Sequence, residues 1–474
     1  MSRLIEILRD GAVDATAVAA TGVDDPVALA GALSAAAADE DLCKTAEAWA
    51  PGLLVSAEPA FGLQTLLRIV HERRELGSPV DLNATPALGA LLGSSRFIAR
   101  RLLTTPDWID GLSGSPPDAP GHEAIAPEWE SIRRAKYRGL LRIAARDLMG
   151  RPFEQSLREL SDLADRCLVA ALACAADACG TPPPSLLALG KLGGRELNFS
   201  SDVDLLFVYE LADGEDPIQR SAEVARLIRQ LKKNLEAPSP DGFGYRVDLD
   251  LRPEGKSGVL ANPVDAALAY YESFGAAWER QMLIRLRKVA GPDAPADRFM
   301  ESVAPFVYRR LIGPDVMREV HAMKTRIESE RRSAGRDLEA SLKEGPGGIR
   351  DVEFLVQAFQ LLEGGRRPEL RSGNVLDMLR ALGEQSLLPE QSVESLCDAY
   401  LWLRRAEHAL QLAEEQQTNH VPRDPAAQTA LARRMGYVGA SGSAVRDAFL
   451  EDWTRVRSEV RGHFESLVLR EEVS

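Results

Sequence analysis

The sequence predicts a mainly helical α+β chain, with a small mixed sheet flanked by helices and followed by a helical bundle. Three observations predict it. Two short apolar runs, Leu186–Leu189 and Leu205–Tyr209, are bounded by turn residues and read as buried strands. Between Tyr245 and Arg252 the chain alternates cleanly, with Tyr245, Val247, Leu249 and Leu251 on one face and Arg246, Asp248, Asp250 and Arg252 on the other, as a strand with one charged face would. Much of the rest carries Leu and Ala at helical spacing.

The stretch Leu186–Tyr209, LLALGKLGGRELNFSSDVDLLFVY, organises the chain. After its first apolar run, Gly190, Gly193 and Gly194 make a loop in which backbone can approach a phosphate, with Lys191 inside it. Ser200 and Ser201 then lead into Asp202-Val203-Asp204. Residues two apart on a strand share a face, which puts the two Asp Cα atoms about 7 Å apart on one side. Paired carboxylates beside a Gly/Ser loop suit divalent cations that carry a nucleotide's phosphates. The alternative is an edge strand with solvated aspartates. Asp is depleted in strands and like charges repel, so flanking apolar runs argue for a site. No GK[ST] ends the loop and the GxGxxG spacing is absent, so it is neither a P-loop nor a dinucleotide fingerprint.

Composition sets outer bounds. The 474 residues, 45% hydrophobic and 27% charged, suit a soluble globular protein of two to four domains. A net charge of −14 argues against a nucleic-acid binder, so phosphate must be met by metal ions or local Arg and Lys. The five cysteines are scattered and lack metal-ligand spacing, as in a reducing cytoplasm. No signal-peptide core and no long apolar run appear, so neither export nor a membrane span is expected.

Four segments are expected: a helical leader over 1–86 without a catalytic constellation, a helical region over 87–180, a catalytic core over 181–300 and a helical bundle over 301–474. Asp24-Asp25-Pro26 reads as a helix start. Gly114 to Pro127 reads as a linker. Helix resumes from Glu128 to Cys179, with Arg133, Arg134, Lys136, Arg138, Arg142 and Arg146 forming a solvated basic face or a wall toward phosphate or an acidic partner. Asp216–Leu235 reads as a helix, and Gly255-Lys256-Ser257-Gly258 as a turn or a phosphate-closing loop. Pro263–Val289 reads as helical, with Trp278, Met282 and Leu286 inward, and with Glu279, Arg280, Arg285 and Arg287 reaching the cleft or pairing. Met317, Val320, Met323 and Ile327 mark a further amphipathic helix. Gly345-Pro-Gly-Gly348 then starts a helix that either aims Arg350, Asp351 and Glu353 at a cleft or solvates them.

A Gly-rich loop, a Ser-Ser-Asp-x-Asp strand, a helix and a strand with a third Asp is the arrangement of polymerase-β-like nucleotidyltransferases, which this chain resembles. GKLGGRELNFSSDVDLLF, YRVDLDLRPEGKSG, WERQMLIRLRKVAG and GPGGIRDVEFLVQAFQLLEGG together resemble the bacterial glutamine synthetase adenylyltransferase/adenylyl-removing enzymes, from about Ala87 to Leu467. Members of that family attach AMP to a tyrosine of glutamine synthetase from ATP, or remove it by phosphorolysis as ADP. They carry two such halves, balanced by the PII signal protein and glutamine. One half is present in this sequence, most like the N-terminal, adenylyl-removing one.

The resemblance implies Asp202, Asp204 and Asp248 as catalytic metal ligands for two Mg²⁺ or Mn²⁺ ions, with Asp250 as a further candidate. It implies Gly190, Lys191, Gly193, Gly194, Ser200, Ser201, Arg246 and Arg252 around nucleotide and phosphate. Glu279, Arg350 and Glu353 are further candidates. Glutamine synthetase, nucleotide and phosphate are the expected partners, in the cytoplasm. A nucleotidyltransferase for another substrate and a non-catalytic binding relic are the alternatives.

Overall fold

In this computed structural model, residues 13–19, 23, 25–112, 124–310, 315–335 and 337–468 are described. The start of the leader, most of the linker at Gly114–Pro127 and the side chain of Met317 lie outside the described residues. The chain divides into two compact units, one from 1–121, 138–156 and 402–456, the other from 122–137, 157–401 and 457–474.

The first unit is helical. Its helix Pro26–Ala37 begins as its sequence suggests: Asp25 caps it by accepting from the Ala28 N–H, and proline takes the first helical position. Helices Ala46–Leu54, Pro59–Glu75 and Ala87–Ser94 pack at glycines. A Cβ on Gly62 would fall 2.6 Å from the Gly93 Cα, and one on Gly89 would fall 2.3 Å from the Trp49 carbonyl. The side chains of Trp49, Leu63, Leu66 and Leu91 are wholly buried there.

The second unit holds the sheet: β1 (Ser185–Ala188), β2 (Val203–Tyr209), β3 (Val247–Asp248), β4 (Asn262–Pro263) and β5 (Arg287–Ala290). The order is β3-β2-β1-β5, and β4 also pairs β2. The sheet is mixed, as its sequence predicts. β1 runs antiparallel to β2 and β5, whereas β3 and β4 are parallel to β2. β2 thus pairs β3 at its start, Val203 with Val247 and Asp204 with Asp248, and β4 at its end. Leu186, Leu187, Val203, Leu205 and Phe207 are buried at 0–1% exposure, so both faces of the central strands are covered. The helix Pro217–Glu236 joins β2 to β3 and buries Val224, Leu227, Ile228 and Leu231, whereas Ile218, of the same apolar set in its sequence, falls in the first turn and is 82% exposed.

Four expectations are corrected. The helix read through Pro263–Val289 is two helices, Val264–Ser273 and Ala277–Leu283, followed by β5. Pairing along the free edge of β1 overrides local helical periodicity at Arg287–Ala290. Trp278 is 38% exposed rather than core, and the buried residues of its helix are Glu279, Gln281 and Leu283. The alternating strand at Tyr245–Leu251 pairs only over Val247–Asp248. There the Asp250 N–H turns back onto the Asp248 carboxylate at 2.7 Å, an Asx-type turn that ends the ladder. The helix read from Glu128 to Cys179 is broken at Gly150 (φ +91), giving Trp129–Leu148 and Phe153–Cys179.

The helix Ile349–Glu363 buries Val352, Leu355 and Val356 as expected. Its Gln357 and Gln360 are buried as well, and the Gln360 amide donates to the carbonyls of Leu370 and Ser372. Among the described residues no helix is long and apolar enough to cross a membrane.

Candidate active site

The parallel ladder between β2 and β3 creates the site. Asp204 and Asp248 are register partners, so their side chains leave the same face of neighbouring strands. Asp202 lies just ahead of β2, close enough for its charge to act on the Asp204 carboxyl. Both β2 and β3 are too short and too polar at this end to be packing devices alone. What holds them is backbone: the Val203 N–H donates to the Arg246 carbonyl at 2.9 Å, and the Leu189 N–H to the Asp204 carbonyl at 2.9 Å.

Each carboxylate has a distinct setting. The Arg246 guanidinium pairs with Asp202 and also donates to the Ser200 carbonyl at 2.7 Å and hydroxyl at 3.2 Å. Asp248 accepts from the Asp250 N–H. Asp204 is half-buried against Gly190, which has φ +54; a Cβ on Gly190 would lie 2.0 Å from the Asp204 Oδ2. Of the three loop glycines, only Gly190 makes room at the carboxylates. A Cβ on Gly193 would strike the Arg285 carbonyl at 1.8 Å, and one on Gly194 the Gly373 carbonyl at 2.7 Å, so these two serve close packing. The segment Gly190–Gly193 is itself one helical turn. Arg287 steadies it by donating to the Leu192 and Gly193 carbonyls, while gripping Asp165 at 2.8 and 2.9 Å.

Electrostatics mark the cluster as strained. Burial pushes the Asp204 carboxyl up to about 6, and the nearby Asp248 and Asp202 charges push the same way. Lys343 and Lys191 pull against them. Lys343, just before the Gly345-Pro-Gly-Gly348 turn, is a residue the sequence reading missed. Its signal is weak, a lone lysine some 140 positions away along the chain.

An open cleft of about 610 Å³ adjoins these strands, lined by Asp202, Arg246, Asp248 and Asp250 and by Arg229, Lys232 and Glu236. Asp204 is not part of its lining. The last three come from the helix Pro217–Glu236 and were also missed, because each sits on an ordinary polar helix face. Glu236 accepts from the Val247 N–H at 3.0 Å and from Lys232 at 2.6 Å, tying that helix to β3. Lys256 of the Gly255–Gly258 turn reaches Asp250 at 3.3 Å.

Arg252 also lines this cleft; it is buried and donates to the Leu249, Lys256 and Gly258 carbonyls, closing its own loop. Other candidates make contacts of their own. Ser201 accepts from the Asn198 N–H. Glu279 accepts from the Ala276 N–H and the Tyr270 hydroxyl at the start of its helix. Arg350 meets Glu344 at 3.4 Å, and Asp351 accepts from the Gly347 N–H and pairs with Lys324 at 3.0 Å. Glu353 pairs with buried Arg285 at 3.1 Å, and Glu196 lies 3.7 Å from the same guanidinium. Glu196 accepts in turn from the Val375 N–H and the Tyr400 hydroxyl, so this cluster binds helices to the sheet.

Among the described residues no group of three or more His, Cys, Asp and Glu side chains forms a ready metal cage. The chemistry of the donors nonetheless suits a hard cation: only carboxylate oxygens, one carrying unfavourable negative charge.

A short mixed sheet whose central strand and parallel neighbour carry carboxylates at one register position, followed by helices, is a nucleotidyltransferase-like fold. Comparison with known proteins agrees. A family model described as glutamate-ammonia ligase adenylyltransferase matches residues 86–302, covering the whole sheet. A second, described as GlnD PII-uridylyltransferase, matches residues 320–468, in the helical region. A bifunctional glutamine synthetase adenylyltransferase/adenylyl-removing enzyme of Nitrosococcus oceani is 36% identical over 432 residues, 84% of this chain and 44% of that protein. Its counterpart in Thioalkalivibrio sulfidiphilus is 40% identical over 354 residues, 71% of this chain and 36% of that protein. Over residues 86–302 the chain matches the glutamate-ammonia ligase adenylyltransferase family, and it spans less than half the length of these relatives.

Proposed function

We propose that this chain is a nucleotidyltransferase that controls glutamine synthetase through the AMP on its tyrosine, and that it acts in the removing direction. The observation that carries the reading is the shared register of Asp204 and Asp248, with the charge of Asp202 close by. In removal, an oxygen of inorganic phosphate attacks the AMP phosphorus. The bond from that phosphorus to the tyrosine oxygen breaks, ADP departs, and the tyrosine oxygen takes a proton. The resemblance of LNFSSDVDLLF and GGIRDVEFLVQAFQLLEGGR to the adenylyl-removing half supports the direction.

Asp202, Asp204 and Asp248 would hold Mg²⁺ or Mn²⁺, which when bound supplies charge neutralisation at the phosphoryl oxygens and positions the attacking oxygen. Arg246, released from Asp202, is placed to meet phosphate charge. Lys191 and Lys343 offset the carboxylates. Ser200 helps hold the guanidinium of Arg246 beside Asp202.

The test pairs two mixtures: protein, Mg²⁺ and phosphate with adenylylated glutamine synthetase, and protein, Mg²⁺ and ATP with the unmodified synthetase. ADP formed only in the first is the expected result. Labelling only in the second overturns the direction. Nucleotide transfer that needs no synthetase overturns the substrate, and silence in both marks a non-catalytic chain.

A further inference from the structure

The charged cleft does not end at its own walls. Arg229 and Leu260 line it and also line a neighbouring groove of about 560 Å³ formed by Pro217, Ile218, Ala222, Ala225 and Val259. This groove runs between the start of the helix Pro217–Glu236 and the segment 258–260. Its walls mix apolar side chains with Ser221 and Arg229, and its apolar members are open to solvent: Ile218 is 82% exposed and Val259 51%. Two large exposed hydrophobics facing one groove are unusual for a surface with no partner. At the junction, Arg229 is exposed and makes no hydrogen bond or ion pair with any described residue, whereas Lys232 and Arg246 in the cleft are both paired.

We infer that this groove seats the stretch of the substrate protein that flanks the modified tyrosine, with apolar side chains against Ile218 and Val259 and an acidic residue against Arg229. The inference rests on the reading above that the substrate is a tyrosine in a protein. A tyrosine that enters the cleft from a folded protein brings its neighbouring backbone along the cleft wall. This groove continues that wall and carries apolar side chains, sharing Arg229 and Leu260 with the cleft. A free nucleotide fills the charged part and has no use for the apolar part. An acidic peptide residue finds in Arg229 a cation that no other described side chain holds.

The experiment compares two substrates across variants: adenylylated glutamine synthetase, and a small AMP ester of N-acetyltyrosinamide that lacks flanking chain. Ile218→Asp and Val259→Asp place charge in the groove. At position 218 an acidic residue is compatible with folding, since it falls in the first turn of a helix. Arg229→Glu reverses the junction charge and Arg229→Lys keeps it. The expected result is a KM for the synthetase raised tenfold or more in Ile218→Asp, Val259→Asp and Arg229→Glu, with recovery in Arg229→Lys and a kcat/KM ratio between protein and ester that falls in step. Equal loss on both substrates, or no change on the synthetase, overturns the groove assignment while leaving the proposed function standing. Wild-type protein that moves AMP with the ester but never with the synthetase overturns the proposed function, and the assigned occupant falls with it. Matching far-ultraviolet dichroism and melting curves identify any variant that fails through unfolding.

Discussion

Two charged clusters in the same compact unit are built on opposite principles. Around Arg285, a buried guanidinium lies between Glu196 and Glu353, and the carboxylate of Glu196 is further satisfied by an N–H and a hydroxyl. Burial works against the Arg285 charge, but the two carboxylates outweigh it and raise its pKa. Around Asp204, three carboxylates lie close together, and burial with like charge drives the Asp204 carboxyl up to about 6. The first cluster is complementary and holds helices to the sheet. The second is frustrated, which is expected of groups arranged for a ligand rather than for the fold. The partners each acid finds therefore separate the two clusters, where sequence alone shows both as acidic residues near glycines.

Substitutions sharpen or break this contrast. Asp202→Asn or Asp248→Asn should lower AMP transfer about a thousandfold or more, from several kcal/mol of lost charge stabilisation, with melting temperature kept. Turnover unchanged in both would dissolve the chemical side of the comparison. Arg285→Met should do the reverse, destabilising the unit by about 3–5 kcal/mol because Glu196 and Glu353 stay buried without their cation; chemical denaturation measures it. Gly190→Ala combines both effects: strain at positive φ costs about 1–3 kcal/mol, and the new methyl displaces Asp204, so transfer falls further than stability does.

The pH response has a definite sign. Asp204 binds its proton more tightly folded than unfolded, so between about pH 4 and 6 the folded state holds the extra proton. Stability should therefore fall as pH rises through that window and remain lower above it. Asp204→Asn should flatten this slope, and a wild-type unfolding profile that rises across the same window would contradict the origin assigned to it. Added Mg²⁺ should lower the pH at which the group ionises. Lys256→Ala, which removes an exposed partner of Asp250, should shift stability by no more than about 0.5 kcal/mol.

Much of this was legible in sequence, and the exceptions share a cause. β1 and β2 were readable because both faces of each are buried, leaving unbroken apolar runs. Asp202, Asp204 and Asp248 were readable because acids in strands need a reason. β5 was not, because Arg287–Ala290 becomes a strand only through a partner some hundred residues earlier. Gly193 and Gly194 looked like Gly190, and only the carbonyls they touch set them apart. Arg252 and Glu279 carry charge at suggestive spacing, yet they bond to nearby groups, carbonyls for Arg252 and the Ala276 N–H and Tyr270 hydroxyl for Glu279, that spacing cannot reveal. Lys343 and Arg229 reach the site from other elements, so their roles depend on tertiary placement. The family resemblance was readable from ordered motifs, and the comparison with relatives agrees with it.

The contact between β2 and β3 is only two residues long, and it has a practical consequence. The amide of Val203, bonded to the Arg246 carbonyl, is the rung immediately beside the acidic cluster. Its hydrogen-exchange rate is therefore a reporter of whether the strand pair is closed. Occupancy that draws the carboxylates together should slow that single amide well before any global change in protection is seen.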